Sequence, residues 1–177
     1  MKKASALLII LFLFSCAPSK IVPIKGKYPP TPIVANSPKT FDQAWDIIID
    51  YFAQNGIPIK IIDRSSGLIV SEQTKLTWSF EKKDGSLFLP TASVVLEKIL
   101  KPSSENWFSP QEVTGEWNVR VKKAPDGTVS INVNLYNIKA LYERYYYSYV
   151  THTAVEPILT KGTTTGNFET AMENVLK

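Results

Sequence analysis

Gly115-Glu116-Trp117-Asn118-Val119-Arg120-Val121-Lys122 and Val129-Ser130-Ile131-Asn132-Val133-Asn134-Leu135-Tyr136 flank the turn sequence Pro125-Asp126-Gly127. Trp117, Val119 and Val121 alternate with Glu116, Asn118, Arg120 and Lys122. In the second arm Val129, Ile131, Val133 and Leu135 alternate with Ser130, Asn132, Asn134 and Tyr136. A period of two with one polar face predicts an antiparallel hairpin in a sheet covered on one side only. Something apolar has to cover the other side.

Upstream, Thr40-Phe41-Asp42-Gln43 fits a capping box, in which the threonine hydroxyl and the glutamine side chain satisfy orphan N–H groups. Phe41, Ala44, Trp45, Ile48, Ile49 and Phe52 then recur at helical spacing, and Asn55-Gly56 closes the helix. Ile57 to Asp63 and Leu68 to Glu72 predict a strand pair around Arg64-Ser65-Ser66-Gly67. One carboxylate in Asp63–Gly67 is too few for a calcium loop. Thr77 to Glu81 alternates, Asp84-Gly85 is a turn signal, and Val94 and Val95 favour a strand over Ala92 to Ile99. Lys101 to Pro110 is polar and predicts a loop with Trp107 and Phe108 embedded. A last helix, Asn167 to Leu176, sets Phe168, Ala171, Met172, Val175 and Leu176 on one side. The expected fold is α+β: a two-layer sandwich, its antiparallel sheet carrying two helices on one face. This order of elements, most of all Thr40–Glu72 and Thr165–Leu176, resembles the helix-grip domains of small envelope lipoproteins such as the accessory lipoprotein of the outer-membrane barrel-assembly machine. That resemblance implies a role in envelope assembly or upkeep.

At the other end, Lys2 and Lys3 precede an apolar run from Ala4 to Phe14, too short for the ~20 residues of a membrane span. A basic start, an apolar core and a small residue make a secretory signal. Leu13-Phe14-Ser15-Cys16 resembles the lipobox of bacterial lipoproteins, although Phe14 stands where a small or β-branched residue is usual. The resemblance implies removal of residues 1–15, a diacylglyceryl thioether on Cys16 and acylation of the new amine. Two or more acyl chains hold a protein stably on a bilayer. Ala17, in place of the aspartate that retains enteric lipoproteins, favours the outer membrane, facing the periplasm.

Residues 16–40 carry Pro18, Pro23, Pro29, Pro30, Pro32 and Pro38 and no acid. They are expected to form an extended tether reaching up to roughly 70 Å at ~3.1 Å per residue. Residues 41–177 then make a single domain. Without Lys2 and Lys3, 18 of the 20 Lys and Arg remain against 16 Asp and Glu, a net charge of about +2. No basic stripe interleaved with aromatics points to nucleic acid. Cys16 is the only cysteine, so no disulfide is expected within one chain.

Reactive constellations are not evident. His152 is the only histidine, which speaks against a zinc centre, and no Gly-x-Ser-x-Gly elbow presents a nucleophile. Lys161-Gly162-Thr163-Thr164-Thr165-Gly166 lacks the order of a phosphate loop and reads as a helix start with capping hydroxyls. Glu97, Glu112, Glu116, Glu143 and Glu156 could serve a glycosidase only by meeting in space. No catalytic residue, metal or cofactor is expected. The candidate binding surface is the cluster Tyr142, Tyr145, Tyr146, Tyr147 and Tyr149, with Trp107 and Phe108 as a second patch. The function expected is a non-catalytic, lipid-anchored envelope protein that binds a protein or glycan. The alternatives are a carrier of a small apolar ligand and a hydrolase of cell wall or sugars.

Overall fold

The computed structural model describes residues 19–101, 104–124, 127–144, 154–158 and 161–177, the side chains of 143, 144 and 154–158 excepted. The described part of the proline-rich stretch is itself structured. Ile21–Val22 (β1) and Ile33–Ser37 (β2) are strands paired with the body, so residues 21–37 are not the free tether expected. Prolines are compatible with this because they lie between the two strands or at their flanks, where no ladder N–H is required.

Thr40 then caps the first helix, α1 (Phe41–Gln54), with the reciprocal capping box in place: Gln43 N donates to Thr40 Oγ1 at 3.3 Å and Thr40 N to Gln43 Oε1 at 3.0 Å. Ala44, Trp45, Ile48 and Phe52 form its buried stripe. Gly56, at φ +63°, supplies the left-handed residue that ends it. Next come β3 (Ile59–Asp63), β4 (Leu68–Ser71), β5 (Thr74–Lys75), β6 (Trp78–Ser79), β7 (Val94–Leu96) and β8 (Lys98–Ile99). The long hairpin β9 (Pro110–Lys123) and β10 (Val129–Arg144) follows, then β11 (Ala154–Ile158), β12 (Gly162–Thr164) and α2 (Asn167–Leu176).

The seven-stranded main sheet runs β11-β10-β9-β4-β3, with β2 also on β10 and β5 also on β9. One antiparallel row crosses it: Ile33, Val133, Val119, Ile69 and Ile62 stand opposite one another on β2, β10, β9, β4 and β3. The middle three are buried. Trp117, one row along, stacks on Phe168 of α2 at 3.8 Å between centroids, and Phe168 meets Tyr51 and Phe52 of α1 edge-on. The helices therefore cover the sheet around Trp117, each large ring adding about 1.5–3 kcal/mol by leaving water.

The expected two-layer α+β sandwich is corrected by the rest of the chain. Among the described residues the strands form three sheets and there are only two short helices, so the fold is sheet-rich and not helix-grip-like. Helices of 14 and 10 residues span only about 21 and 15 Å. They are too short to close the core of a hairpin this long. A second sheet of three strands, β12-β7-β6, and the pair β1-β8 provide further apolar cover. Val94, Val95 and Leu96 of β7 are all buried, as a continuous apolar run on a central strand demands.

The hairpin also outruns its alternating sequence. Asn137, at φ +53°, sits in a register shift between Tyr136 and Lys139, after which Ala140 and Tyr142 return to the buried face.

Candidate interaction surface

Trp107 and Phe108 do not lie in a free loop. Phe108 N donates to Ile99 O at 2.9 Å, and Trp107 bridges Leu100, folding the return segment back along β8. Trp107 thereby reaches Phe80 (6.1 Å, edge-on) and Phe88 (6.1 Å, tilted), while Trp78 backs Phe80 at 5.2 Å. Phe80 is core, whereas Phe88 is 53% exposed. Lysines line the rings. Lys98 Nζ stands 4.7 Å above Trp107 and 5.3 Å above Phe88, Lys82 Nζ lies 5.8 Å from Phe88, and Lys101 Nζ 5.6 Å from Phe108. Such pairs attract through the ring quadrupole, about 0.5–1 kcal/mol each where exposed. Sequence reasoning missed Phe88. The signal was the Asp84-Gly85 turn, whose return strand brings Leu87 opposite Glu81 and so carries Phe88 to Trp107.

Beside this patch a small cleft of about 110 Å³ is lined by Val22, Pro23, Lys25, Glu81, Lys83 and Lys98, among others. Glu81 closes it. Its carboxylate accepts from Lys25 N at 2.8 Å, Gly26 N at 2.7 Å and the Tyr28 hydroxyl at 2.8 Å. Lys98 Nζ donates to the Glu81 main-chain oxygen. Burial works to raise the Glu81 pKa, but the Lys25 amide, Tyr28, the Gly26 amide and the Lys98 charge together hold it below the ordinary value. Burial and this same carboxylate push the Tyr28 hydroxyl up to about 12. The group is a latch that seats residues 25–28 on the body.

The remaining acids are placed apart. Glu116 holds the hairpin bulge by accepting from Tyr136 Oη at 2.9 Å and from Asn137 Nδ2, which also lowers its pKa. Glu112 pairs with Lys75 at 3.6 Å, and Glu97 lies just before β8. Asp63 is occupied by the Ser65 and Ser66 hydroxyls and amides, which bring its pKa to about 2 and make the segment a turn. Thr165 Oγ1 accepts weakly from Asn167 N, and Thr164 Oγ1 accepts from Gly166 N, so the loop before α2 spends its hydroxyls on the chain itself. Among the described residues, no three His, Cys, Asp or Glu side chains group as a metal site would require. The side chains of Glu143 and Glu156, with Cys16, Tyr145, Tyr146, Tyr147, Tyr149 and His152, lie outside the described residues. Tyr142 is fully buried and belongs to the core, which corrects its place in a binding surface.

Glu169 is the exception inside. It is 2% exposed in the first turn of α2, and neither carboxylate oxygen has a hydrogen-bond partner. Burial raises its pKa; Thr164 and the Glu169 amide pull the other way without completing a bond to the carboxylate. A raised folded-state pKa means the folded chain binds the proton more tightly. Stability is then greatest below the ordinary glutamate pKa and falls as pH rises through the folded one. Glu169→Gln is expected to stabilise the chain at pH 8 by about 1–3 kcal/mol and to flatten this decline. In a chain of this size that is roughly 3–10 °C in Tm. Thermal melts from pH 4 to 8 check it; equal pH slopes in both proteins would refute the assignment.

The chain matches no protein-family model and no curated protein.

Proposed function

We propose that this chain is a lipid-anchored bacterial envelope protein of the non-catalytic type, held by Cys16 at the outer membrane, facing the periplasm, and binding a protein partner. The lipobox-like Leu13–Cys16 supports the anchor. The observation that carries the binding role is the open edge of the main sheet. β3 is terminal among the described strands, and its Ile61 and Ile62 are 45% and 57% exposed. Ile62 continues the buried row Val133-Val119-Ile69, so the core pattern runs off the sheet into solvent. Although the Ile59–Ile61 bulge and Lys60 guard one end of β3, the apolar edge at Ile61 and Ile62 invites pairing with another chain, and a protein strand added there gains main-chain hydrogen bonds together with apolar cover. This narrows the expected protein-or-glycan partner to a protein.

The alternatives receive less support. A carrier needs an enclosed apolar cavity. Here Trp117, Phe52, Phe168, Ile48 and Met172 occupy the space between helices and sheet. A hydrolase needs carboxylates that converge, and Glu112 and Glu116 are each committed to other partners.

Mass spectrometry of the native product is expected to show Cys16 as an acylated N-terminal residue, with palmitate incorporation lost on Cys16→Ser. An unmodified thiol would overturn the anchor. A photoreactive residue at Ile62, in growing cells, is expected to give one discrete protein adduct that a probe at Lys83 does not give. Equal smears from both would overturn the binding role.

A further inference from the structure

We infer that the aromatic–lysine patch around Phe88 and Trp107 is a seat for an anionic phospholipid bilayer, turning the lipid anchor into a fixed orientation of the domain. This rests on the anchor proposed above. The chain decides the location. Leu100 N donates to Lys20 O at 2.8 Å and Ile21 pairs with Ile99, so the chain joins the body beside β8. Between Cys16 and Lys20 there are four residue steps, at most about 14 Å of extended chain. The roughly 70 Å tether expected from the prolines is mostly folded back onto the domain by β1, β2 and the Glu81 latch. Acyl chains on Cys16 therefore keep the bilayer within about 14 Å of Lys20 and what surrounds it.

What surrounds Lys20 suits a membrane interface. β8, on which the segment lies, carries Lys98 over the Trp107 and Phe88 rings. Lys82 and Lys83 share the adjoining cleft, and Lys101 lies beside Phe108. Ile21, Phe88 and Leu89 are 56%, 53% and 43% exposed, three of the large apolar side chains left in solvent among the described residues. Glu81 and Asp84 lie among these lysines and interact with Lys98 and Lys82, so they offset part of the charge, but Lys82, Lys83, Lys98 and Lys101 outnumber them. Trp and Phe rings at headgroup depth, with lysines reaching anionic phosphates, are the pattern of interfacial binding. A glycan would use the rings but gives no reason for the lysines.

The test uses the full-length product, purified from membranes with its anchor and carrying Leu89→Cys with a nitroxide label. It is reconstituted into vesicles of phosphatidylethanolamine with phosphatidylglycerol, or of phosphatidylcholine alone. Near-UV circular dichroism matching the parent excludes a folding fault. The same sample's mass reports acylation at Cys16. With Cys16 acylated, the label is expected to collide several-fold less with an aqueous nickel chelate in the anionic vesicles than in the neutral ones. Lys82→Glu with Lys101→Glu is expected to abolish the difference. Equal accessibility in both vesicles with Cys16 acylated overturns the seat and leaves the anchor standing. Protection in native membranes but in neither vesicle points to a protein covering the patch and also overturns it. An unmodified Cys16 removes both.

Discussion

Gly67→Ala is expected to cost at least about 4 kcal/mol, a large share of a typical reserve of 5–15 kcal/mol. Gly67 sits at φ +71° in the turn from β3 to β4, and a Cβ there would stand 2.0 Å from Val121 O. The left-handed backbone alone disfavours alanine by about 1–2 kcal/mol. The clash is the larger part, because the obstacle is main chain and cannot rotate away. Val121 N donates to Gly67 O at 2.8 Å, so the turn and β9 are bonded at the contact that alanine would force apart. Gly56→Ala is the control. It shares a positive φ, +63°, but a Cβ there meets nothing within 4 Å, so only the backbone cost applies. Thermal melts of the two variants should differ widely; equal midpoints would mean that the turn does not approach β9 as described.

Glu81→Ala is the second large effect, expected at about 2–4 kcal/mol, since hydrogen bonds to a charged group are worth about 1.5–3 kcal/mol each and do not add fully. It removes three acceptor contacts that hold residues 25–28. Its clearest signature is local. Amide exchange at Lys25 and Gly26 should speed up by orders of magnitude while the β9–β10 ladder stays protected. The pH sign follows from the lowered Glu81 pKa. The latch is at full strength above the ordinary carboxylate range and is lost as pH falls through the folded-state pKa, which lies below that range. Wild-type protection at Lys25 should therefore collapse in acid while Glu81→Ala shows no such step. A wild type whose Lys25 protection shows no more loss on acidification than that of the β9–β10 ladder would contradict the assignment. Loosening this segment also lengthens the leash between Cys16 and the body, so the variant should seat less firmly on anionic vesicles.

How much was legible can be traced residue by residue. The capping box at Thr40 and the stripe ending in Phe52 depend on neighbours three and four positions away, and both stand as read. The alternation of 115–122 with 129–136 likewise appears as a β-hairpin in register. Reading stopped at Tyr136 because Asn137 breaks the period of two, and only the partner strand shows that the ladder resumes at Lys139. The candidate site was half legible. Trp107 and Phe108 stood out as rings in polar surroundings, but Phe88 joins them only through the fold of residues 81–88. Tyr142 stood out for the same reason and is core.

Local pattern alone thus determined the two helices, the strand pair around Gly67, the long hairpin and the lipobox-like start, since each is encoded by spacing over a few residues. Tertiary structure alone decided that the proline-rich segment is zipped onto the domain and, among the described strands, that three sheets share the core and that β3 is left as an edge. The physical reason is range. Glu81 meets Lys25 across 56 positions, and Ile33 meets Val133 across a hundred. Nothing in a window of a few residues marks one strand as the partner of another. Two-residue strands such as β1 and β8 have almost no periodicity of their own, and become strands only because a neighbour satisfies their backbone.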